Sequence, residues 1–472
     1  MTGNGDSRLS LRVKLAYGAG ELGPALVANM VIFYLLFFLT NVAGIPAALA
    51  GLVPMVGKLW DAINDPLIGW LSDRTRSRRW GRRLSWMLCC LPLLAVVVVV
   101  QWWVPPLAGE LGRFWYYVLM VLLYNAVSSG LTVPHTALMP ELTSDYEDRT
   151  SLVSFRSAFS ILGGVGFILL AGAMQRLPLS DEHRYLAIAG VCAAVLVGSV
   201  LWCVFGIRRT ALEREAYLAG RSLDEAAVPI AQQLRIVLTN RPFLYVCAVF
   251  TFSWLAVQVT ATVLIYYAVY WTGMDETRVP LLMLAVMGTA VATLPLWVTL
   301  SHRIGKKATY SIGMGIWIAV QAALVFLPRE QVTATFVLAA LAGLGVSTAY
   351  LIPWSLLPEV VEYDELRTGR RREGIYYGFM VLLQKVGLGL AVFLVAQALQ
   401  AAGFVSRAPG APPTPQPESA LLAIRLAIGP LPAIGLALGL AACWMYPVTK
   451  RGYETIVRRL ETRRRPPGSA AR

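Results

Sequence analysis

The stretch "KLWDAINDPLIGW", residues 58–70, begins inside an apolar run yet carries Lys58, Asp61 and Asp65. On an α-helix the spacing i, i+3, i+7 places the three side chains on one face, with Asn64 beside the carboxylates. A charge at membrane depth costs about 2.5–3.5 kcal/mol on insertion scales, so such groups pair or bind ions. Because the trio carries one negative charge in excess, it predicts a site for Na⁺ or a shared proton. A closed structural salt bridge is the alternative.

The composition indicates which kind of helix carries this trio. Hydrophobic residues make up 57% of the chain and charged residues 14%, and the mean hydropathy is +0.60. These values are typical of an all-α protein embedded in a lipid bilayer. Apolar stretches of roughly 20 residues, the length that crosses a bilayer core, predict twelve transmembrane helices. They lie near 17–40, 46–71, 84–104, 114–139, 152–174, 186–207, 243–271, 279–300, 308–328, 332–357, 375–401 and 421–446.

The Lys and Arg residues are concentrated on one side of the predicted membrane topology. The chain has 41 Lys and Arg against 27 Asp and Glu. With a cytoplasmic N-terminus, 31 of these basic residues lie in the segments on that side and six in the opposite loops. This asymmetry is the positive-inside pattern. It predicts a multi-pass protein of the inner (plasma) membrane with both termini cytoplasmic, and it argues against a nucleic-acid partner.

The chain divides into two similar halves. The sequence "LSDR" at 71–74, after the second span, is echoed by "LSHR" at 300–303, after the eighth. Parallel repeats of six spans are the architecture of the major facilitator superfamily. We therefore expect two pseudo-symmetric six-helix bundles. The predicted divisions are bundles at 1–207 and 242–446, a cytoplasmic interdomain loop at 208–241 and a basic cytoplasmic tail at 447–472.

Charged residues near the span ends are assigned to gating. The stretch "GWLSDRTRSRRWGRR", residues 69–83, resembles the loop motif of that superfamily. Its Asp73 can accept hydrogen bonds from arginine side chains or cap a neighbouring helix, so Asp73 and Arg74 are predicted to form a latch. Glu359 belongs to a charged segment after the tenth span, which we expect to pair with the loop after the fourth span and close the inner gate.

Other polar residues within spans are candidates for the transport path. Lys385 lies about twelve residues into its span, a depth that makes snorkelling difficult, so it needs a carboxylate partner. Asp61 and Asp65 are the predicted partners, across a central cavity. His135 is interpreted as a packing histidine. The candidate substrate-binding residues are Glu21, Ala25, Asn125, Arg156, Trp354 and Gln384.

Three motifs together resemble one family. "YGAGELG" at 17–23, "WDAINDP" at 60–66 and the run "PWSLLPE" with the later "TGRRREG" at 353–374 are similar to the glycoside-pentoside-hexuronide:cation symporters, the melibiose permease-like group. The resemblance implies that paired carboxylates of the second span bind the coupling cation, with neighbours from the second, fourth and eleventh spans. The implied carboxylates and neighbours are Asp61, Asp65, Asn64, Lys58, Lys385, and Ser129 or Thr132.

The sequence departs from that family at two positions. Melibiose-type members carry an aspartate in span 1 and another in span 4 that hold sugar hydroxyls, and the corresponding residues here are Ala25 and Thr132. Neither side chain can act as a carboxylate. The resemblance thus supports the coupling cation more strongly than the sugar site.

These features predict a secondary active transporter that couples symport of a sugar, glycoside or related small solute to a cation by alternating access. Na⁺ is the expected cation, with H⁺ or Li⁺ as alternatives, and the carrier is expected to be a monomer without a cofactor. The runner-up substrate is a lysolipid or other amphiphile. A non-transporting receptor is disfavoured by the buried charges. An enzyme is disfavoured because the sequence has no Gly-x-Ser-x-Gly and only three histidines.

Overall fold

The structure is a computed structural model that describes residues 9–75, 77, 79–107, 109–143, 145–219, 230–369, 372–407, 414–448 and 450–464. Residues 220–229 of the predicted interdomain loop and 465–472 of the predicted tail lie outside this part. Its regular structure is helical throughout. The α-helices are α1 (Leu11–Asn41), α2 (Ala47–Arg74), α3 (Gly81–Val100), α4 (Glu110–Leu142), α5 (Tyr146–Met174), α6 (Asp181–Ala219), α7 (Ile230–Thr239), α8 (Arg241–Tyr266), α9 (Val279–Ile304), α10 (Lys306–Phe326), α11 (Val332–Thr368), α12 (Glu373–Ala401), α13 (Glu418–Ile428), α14 (Pro430–Met445) and α15 (Lys450–Arg464).

The long helices match the predicted spans. Eleven helical segments within the described ranges are long and apolar enough to cross a membrane. Helix α2 has 28 residues, which at 1.5 Å per residue also suffices, but its polar residues lower its hydropathy. Counting α2 gives the twelve spans that the sequence predicts.

One predicted span is not a single helix. The segment 421–446 is divided between α13, which ends at Ile428, and α14, which begins at Pro430. Proline lacks a backbone N–H and disfavours the helical conformation of the residue before it, and Gly429 accordingly has φ −108° and ψ −85°. Hydropathy alone does not register such a break.

The helices group into two compact units. Unit 1 comprises Met1–Glu225, Asp275–Leu281 and Val392–Ala420, and unit 2 comprises Ala226–Met274, Leu282–Ala391 and Leu421–Arg472. In unit 1, α1 packs on α5 and α6, α2 on α4, and α3 on α4 and α6. In unit 2, α8 packs on α11 and α14, α10 on α11 and α14, and α15 on α11. The pairings α1–α6, α3–α4 and α3–α6 thus recur as α8–α14, α10–α11 and α10–α14.

Candidate cation and substrate site

The ionisable stripe of α2 is largely buried. Asp61 is 2% exposed and Asn64 is 4% exposed. The Lys58 ammonium lies 3.0 Å from Asp61 Oδ2, which is the i, i+3 contact that the sequence spacing predicts. Burial of this pair is tolerable only with further polar partners, because each desolvated ion loses its water.

Helix α4 supplies those partners. The Lys58 ammonium also donates to Asn125 Oδ1 at 3.1 Å, and the Asn64 side-chain amide donates to the Asn125 carbonyl at 3.5 Å. The helices approach closely here because residue 57 is glycine. A Cβ on Gly57 would lie 2.3 Å from Val121 Cγ1 and 2.5 Å from Asn125 Nδ2. Gly57 therefore sets the distance at which α2 and α4 share this cluster.

Asp65 is held by the next turn of α4. The Ser129 hydroxyl donates to Asp65 Oδ1 at 2.6 Å, a short distance typical of a hydrogen bond to an ionised carboxylate. Thr132 follows on the same helix, but its hydroxyl donates to the Ser128 carbonyl at 3.0 Å. The structure thus brings Ser129 to the carboxylates, whereas Thr132 bonds to its own helix.

The cluster combines side-chain oxygens with one excess negative charge. Asn125 and Ser129 are each 4% exposed, so this face of α4 is shielded from solvent. Together, α2 and α4 present two carboxylates, two amides and a hydroxyl, with a single ammonium group. Such hard oxygen ligands suit cations like Na⁺, Mg²⁺ or Ca²⁺ better than transition metals.

The predicted substrate residues of unit 1 lie in different surroundings. Glu21 on α1 accepts from Arg156 on α5, with Nε 2.9 Å from Oε2. The Glu21 side chain is 20% exposed and that of Arg156 33% exposed, so this pair remains partly accessible. Ala25 is buried and lies where a Cβ on Gly163 would come within 2.9 Å of its own. Its side chain contributes packing between α1 and α5 and has no polar group.

The remaining predicted substrate residues lie in unit 2. Trp354 packs edge-on against Phe250, with ring centroids 5.5 Å apart. The backbone carbonyl of Gln384 accepts from the Trp254 indole at 3.0 Å. Lys385 follows on α12, also in unit 2. Its pairing with Asp61 and Asp65 of unit 1 stays a prediction.

The predicted latch residue Asp73 accepts from Arg83 at the start of α3. Arg83 also lies 3.0 Å from Glu141 at the end of α4. Arg74 instead places its guanidinium 3.9 Å above the Trp70 ring. Sequence reasoning missed Arg83 and Glu141 as the partners of this network. The sequence feature that indicated this network is the pair of arginines that follows Gly81. Gly81 has φ +71° and begins α3.

Glu359 has partners within its own unit. Its carboxylate lies 2.6 Å from the Lys306 ammonium and accepts from the Tyr446 hydroxyl at 3.2 Å. Glu141 at the end of α4 binds Arg82 and Arg83. The pairing of the Glu359 segment with the loop after the fourth span stays a prediction.

Comparison with known proteins identifies the family. Residues 16–450 match the family described as MFS/sugar transport protein, where MFS is the major facilitator superfamily. The chain belongs to this family. An uncharacterized symporter of Synechocystis sp. is 42% identical to this MFS protein, over 97% of each chain. The mouse sodium-dependent lysophosphatidylcholine symporter 1 is 27% identical, over 93% of this chain and 86% of its own.

Solved structures agree on the architecture of this MFS protein. The nucleoside transporter NupG superposes with a TM-score of 0.62 at 11% identity, covering 93% of this chain and 100% of its own. A bacterial homologue of the iron transporter ferroportin gives 0.63 at 15% identity, covering 93% and 99%. The fold is therefore that of a major facilitator transporter, as the two-bundle pattern predicts, and the family is one of carriers and not of enzymes.

Proposed function

We propose that this MFS protein is a cation-coupled symporter in which Asp61 and Asp65 bind Na⁺. The observation that carries the proposal is the buried oxygen cluster between α2 and α4, where Asp61 is 2% exposed and Ser129 holds Asp65 at 2.6 Å. Among the described contacts of the cluster, Lys58 is the cationic side chain, so the two carboxylates leave one negative charge in excess. A monovalent cation cancels that charge.

The residues of the cluster have different roles in binding the cation. Lys58 lies on Asp61 at 3.0 Å, whereas the Ser129 hydroxyl holds Asp65. The incoming cation therefore competes with Lys58 for Asp61. Asn64 and Asn125 add neutral oxygens beside the carboxylates.

Coupling follows from the cost of buried charge. Carboxylates left without a cation resist enclosure by the low-dielectric bilayer, and a bound cation removes that penalty. A ligand shifts a conformational equilibrium only by its differential affinity for the two states. Na⁺ would accordingly favour the states through which the loaded carrier alternates, while Lys385 re-pairs as the charge of the cluster changes.

The named relatives support sodium as the coupling cation. Several are described as sodium-dependent lysophosphatidylcholine symporters, including those of Mus musculus and Xenopus tropicalis. Together with "WDAINDP" at 60–66, they favour membership of the glycoside-pentoside-hexuronide:cation symporter group. H⁺ and Li⁺ are the alternative cations, and both compete for the same carboxylates.

The first proposed substrate is a sugar, glycoside or related small polar solute, in line with the family description. Glu21 and Arg156 form the polar pair that we assign to it, with Trp354 and Gln384 from unit 2. A lysolipid is the second candidate. It is favoured by the lysophospholipid carriers among the relatives and by the apolar Ala25 at the position where melibiose-type carriers hold a sugar hydroxyl.

We further propose a monomeric carrier of the plasma membrane with both termini cytoplasmic. The support is the positive-inside distribution of 31 of the 41 Lys and Arg. In that orientation the Asp73 and Glu359 networks lie at the cytoplasmic ends of the two six-helix bundles, 1–207 and 242–446, where they gate the inner side.

The test is uptake into proteoliposomes with an imposed Na⁺ gradient, using radiolabelled sugars and lysophospholipids in parallel. We expect one class to accumulate with Na⁺ and Asp61→Asn to abolish that accumulation. Glu110→Gln, on an exposed first turn of α4, is the matched control and should keep it. Uptake by the wild type that ignores Na⁺, Li⁺ and pH gradients alike would contradict coupling.

A further inference from the structure

A second ionisable cluster surrounds His135, which is 1% exposed. Its Nε2 lies 3.0 Å from the backbone carbonyl oxygen of Tyr17. A carbonyl oxygen can only accept a hydrogen bond, so Nε2 carries a hydrogen. The tautomer of the neutral ring is thereby set, and Nδ1 is the nitrogen without a proton.

The unprotonated Nδ1 of His135 faces a carboxylate. His135 Nδ1 lies 3.8 Å from Glu21 Oε2, and the same oxygen accepts from Arg156 Nε at 2.9 Å. In the neutral ring, the Nδ1 lone pair and Oε2 are two acceptors with no hydrogen between them. A proton on Nδ1 converts this repulsive contact into an ion pair.

The surroundings of the ring are densely packed and few of them are charged. Residue 20 is glycine, and a Cβ there would lie 2.7 Å from His135 Nε2 and 2.8 Å from Cys203 Sγ. The Tyr17 ring stacks at a tilt on the imidazole, with centroids 4.7 Å apart. Among the described residues, the titratable and charged groups around His135 and Glu21 are Tyr17 from α1, Arg156 from α5 and Cys203 from α6.

We propose that His135 and Glu21 form a proton-binding site, separate from the Asp61 and Asp65 cluster, and that its occupancy controls how tightly Arg156 is held. Without the proton, Glu21 and Arg156 balance each other and the cluster is neutral. With the proton, two cationic groups share the one Glu21 carboxylate and the cluster carries one positive charge. Arg156, whose side chain is 33% exposed, then turns more readily to an anionic or polar solute group.

The test is a titration that does not depend on transport. The chain has three histidines, so protein labelled with ¹³C and ¹⁵N in histidine gives three ring signals, assigned with His135→Gln, His183→Gln and His302→Gln. In lipid nanodiscs scanned from about pH 9 to pH 4, we expect His135 to start as the neutral ring protonated at Nε2 and to gain a proton on Nδ1 as the pH falls. Glu21→Gln should lower its midpoint by about one pH unit or more, and Arg156→Gln should raise it.

The His183 signal is the internal control, because His183 is exposed and contacts Ser180. Its ring signal should be the same in wild type, Glu21→Gln and Arg156→Gln. A His135 signal that stays constant across the range, or that titrates identically in wild type and Glu21→Gln, would overturn the proposal. The Na⁺ dependence of uptake tests the other cluster, so the two proposals fail separately.

Discussion

Two clusters of unit 1 set cationic side chains against carboxylates, and they differ in their charge balance. The cluster of α2 and α4 sets Lys58 against Asp61 and Asp65, with Lys58 3.0 Å from Asp61. The cluster of α1, α4 and α5 sets Arg156 against Glu21 at 2.9 Å, with His135 beside them. The first has one carboxylate more than it has cationic groups, and the second has equal numbers.

This difference in balance determines which ligand each cluster lacks. An excess carboxylate in a buried cluster carries a desolvation cost that a cation from outside would lower. A balanced cluster has no such need, and its histidine allows it to gain a single charge instead. Helix α4 takes part in both, with Asn125 and Ser129 in one and His135 in the other, so it is the element through which the two clusters can influence each other.

The largest expected effect comes from removing one carboxylate charge from the first cluster, which should abolish its response to Na⁺ but leave the second cluster intact. Asp61→Asn leaves Lys58 opposite Asp65 alone, so no charge remains for the cation to cancel. We expect Na⁺ stimulation of uptake to fall by about a hundredfold or more. Glu21→Gln, in the balanced cluster, should weaken solute affinity while the ratio of uptake with and without Na⁺ is kept. Equal loss of that ratio in both variants would show that the clusters are one site.

A steric change tests whether the close approach of α2 and α4 makes the first cluster. Gly57→Ala places a methyl 2.3 Å from Val121 Cγ1, which forces the helices apart. We expect the free energy of unfolding to fall by about 1–3 kcal/mol, with weaker Na⁺ binding. Gly69→Ala, on the same helix, meets only Val133 at 3.9 Å and should be neutral or stabilising. Unfolding in mixed micelles and Na⁺-dependent tryptophan fluorescence measure both.

The spans were predictable because length and hydropathy decide them, and the contact of Lys58 with Asp61 was predictable because both lie on one helix. Contacts between helices were not. A sequence does not show which face of α4 meets α2, so the contact of Asn125 with Lys58 could not be predicted from it. The contact of His135 with Glu21 could not be predicted either, because the two residues are 114 positions apart on different helices.

Removing the Lys58 ammonium from the first cluster should have a smaller effect, and it should strengthen Na⁺ binding instead of weakening it. Lys58 occupies Asp61 Oδ2 and repels a second cation, so Lys58→Met should raise Na⁺ affinity about tenfold, equivalent to about 1.4 kcal/mol. Arg209→Gln is the control, since Arg209 is an exposed residue of α6 paired only with Glu213 among its described contacts. Titration calorimetry measures the affinity. A weaker affinity in Lys58→Met would mean that Lys58 positions Asp61 for the cation instead of competing with it.

The smallest effect concerns the hydroxyl that holds Asp65. Ser129→Ala removes a donor 2.6 Å from Asp65 Oδ1 and an oxygen that Na⁺ can use, but it leaves both carboxylates in place. We expect Na⁺ affinity to fall by about 1 kcal/mol, roughly fivefold, in the same calorimetric titration. Thr136→Ala is matched to it, because the Thr136 hydroxyl is exposed and donates only to the Thr132 carbonyl among its described contacts. If both variants bind Na⁺ like the wild type, the carboxylates alone define the site and α4 contributes only its packing against Gly57.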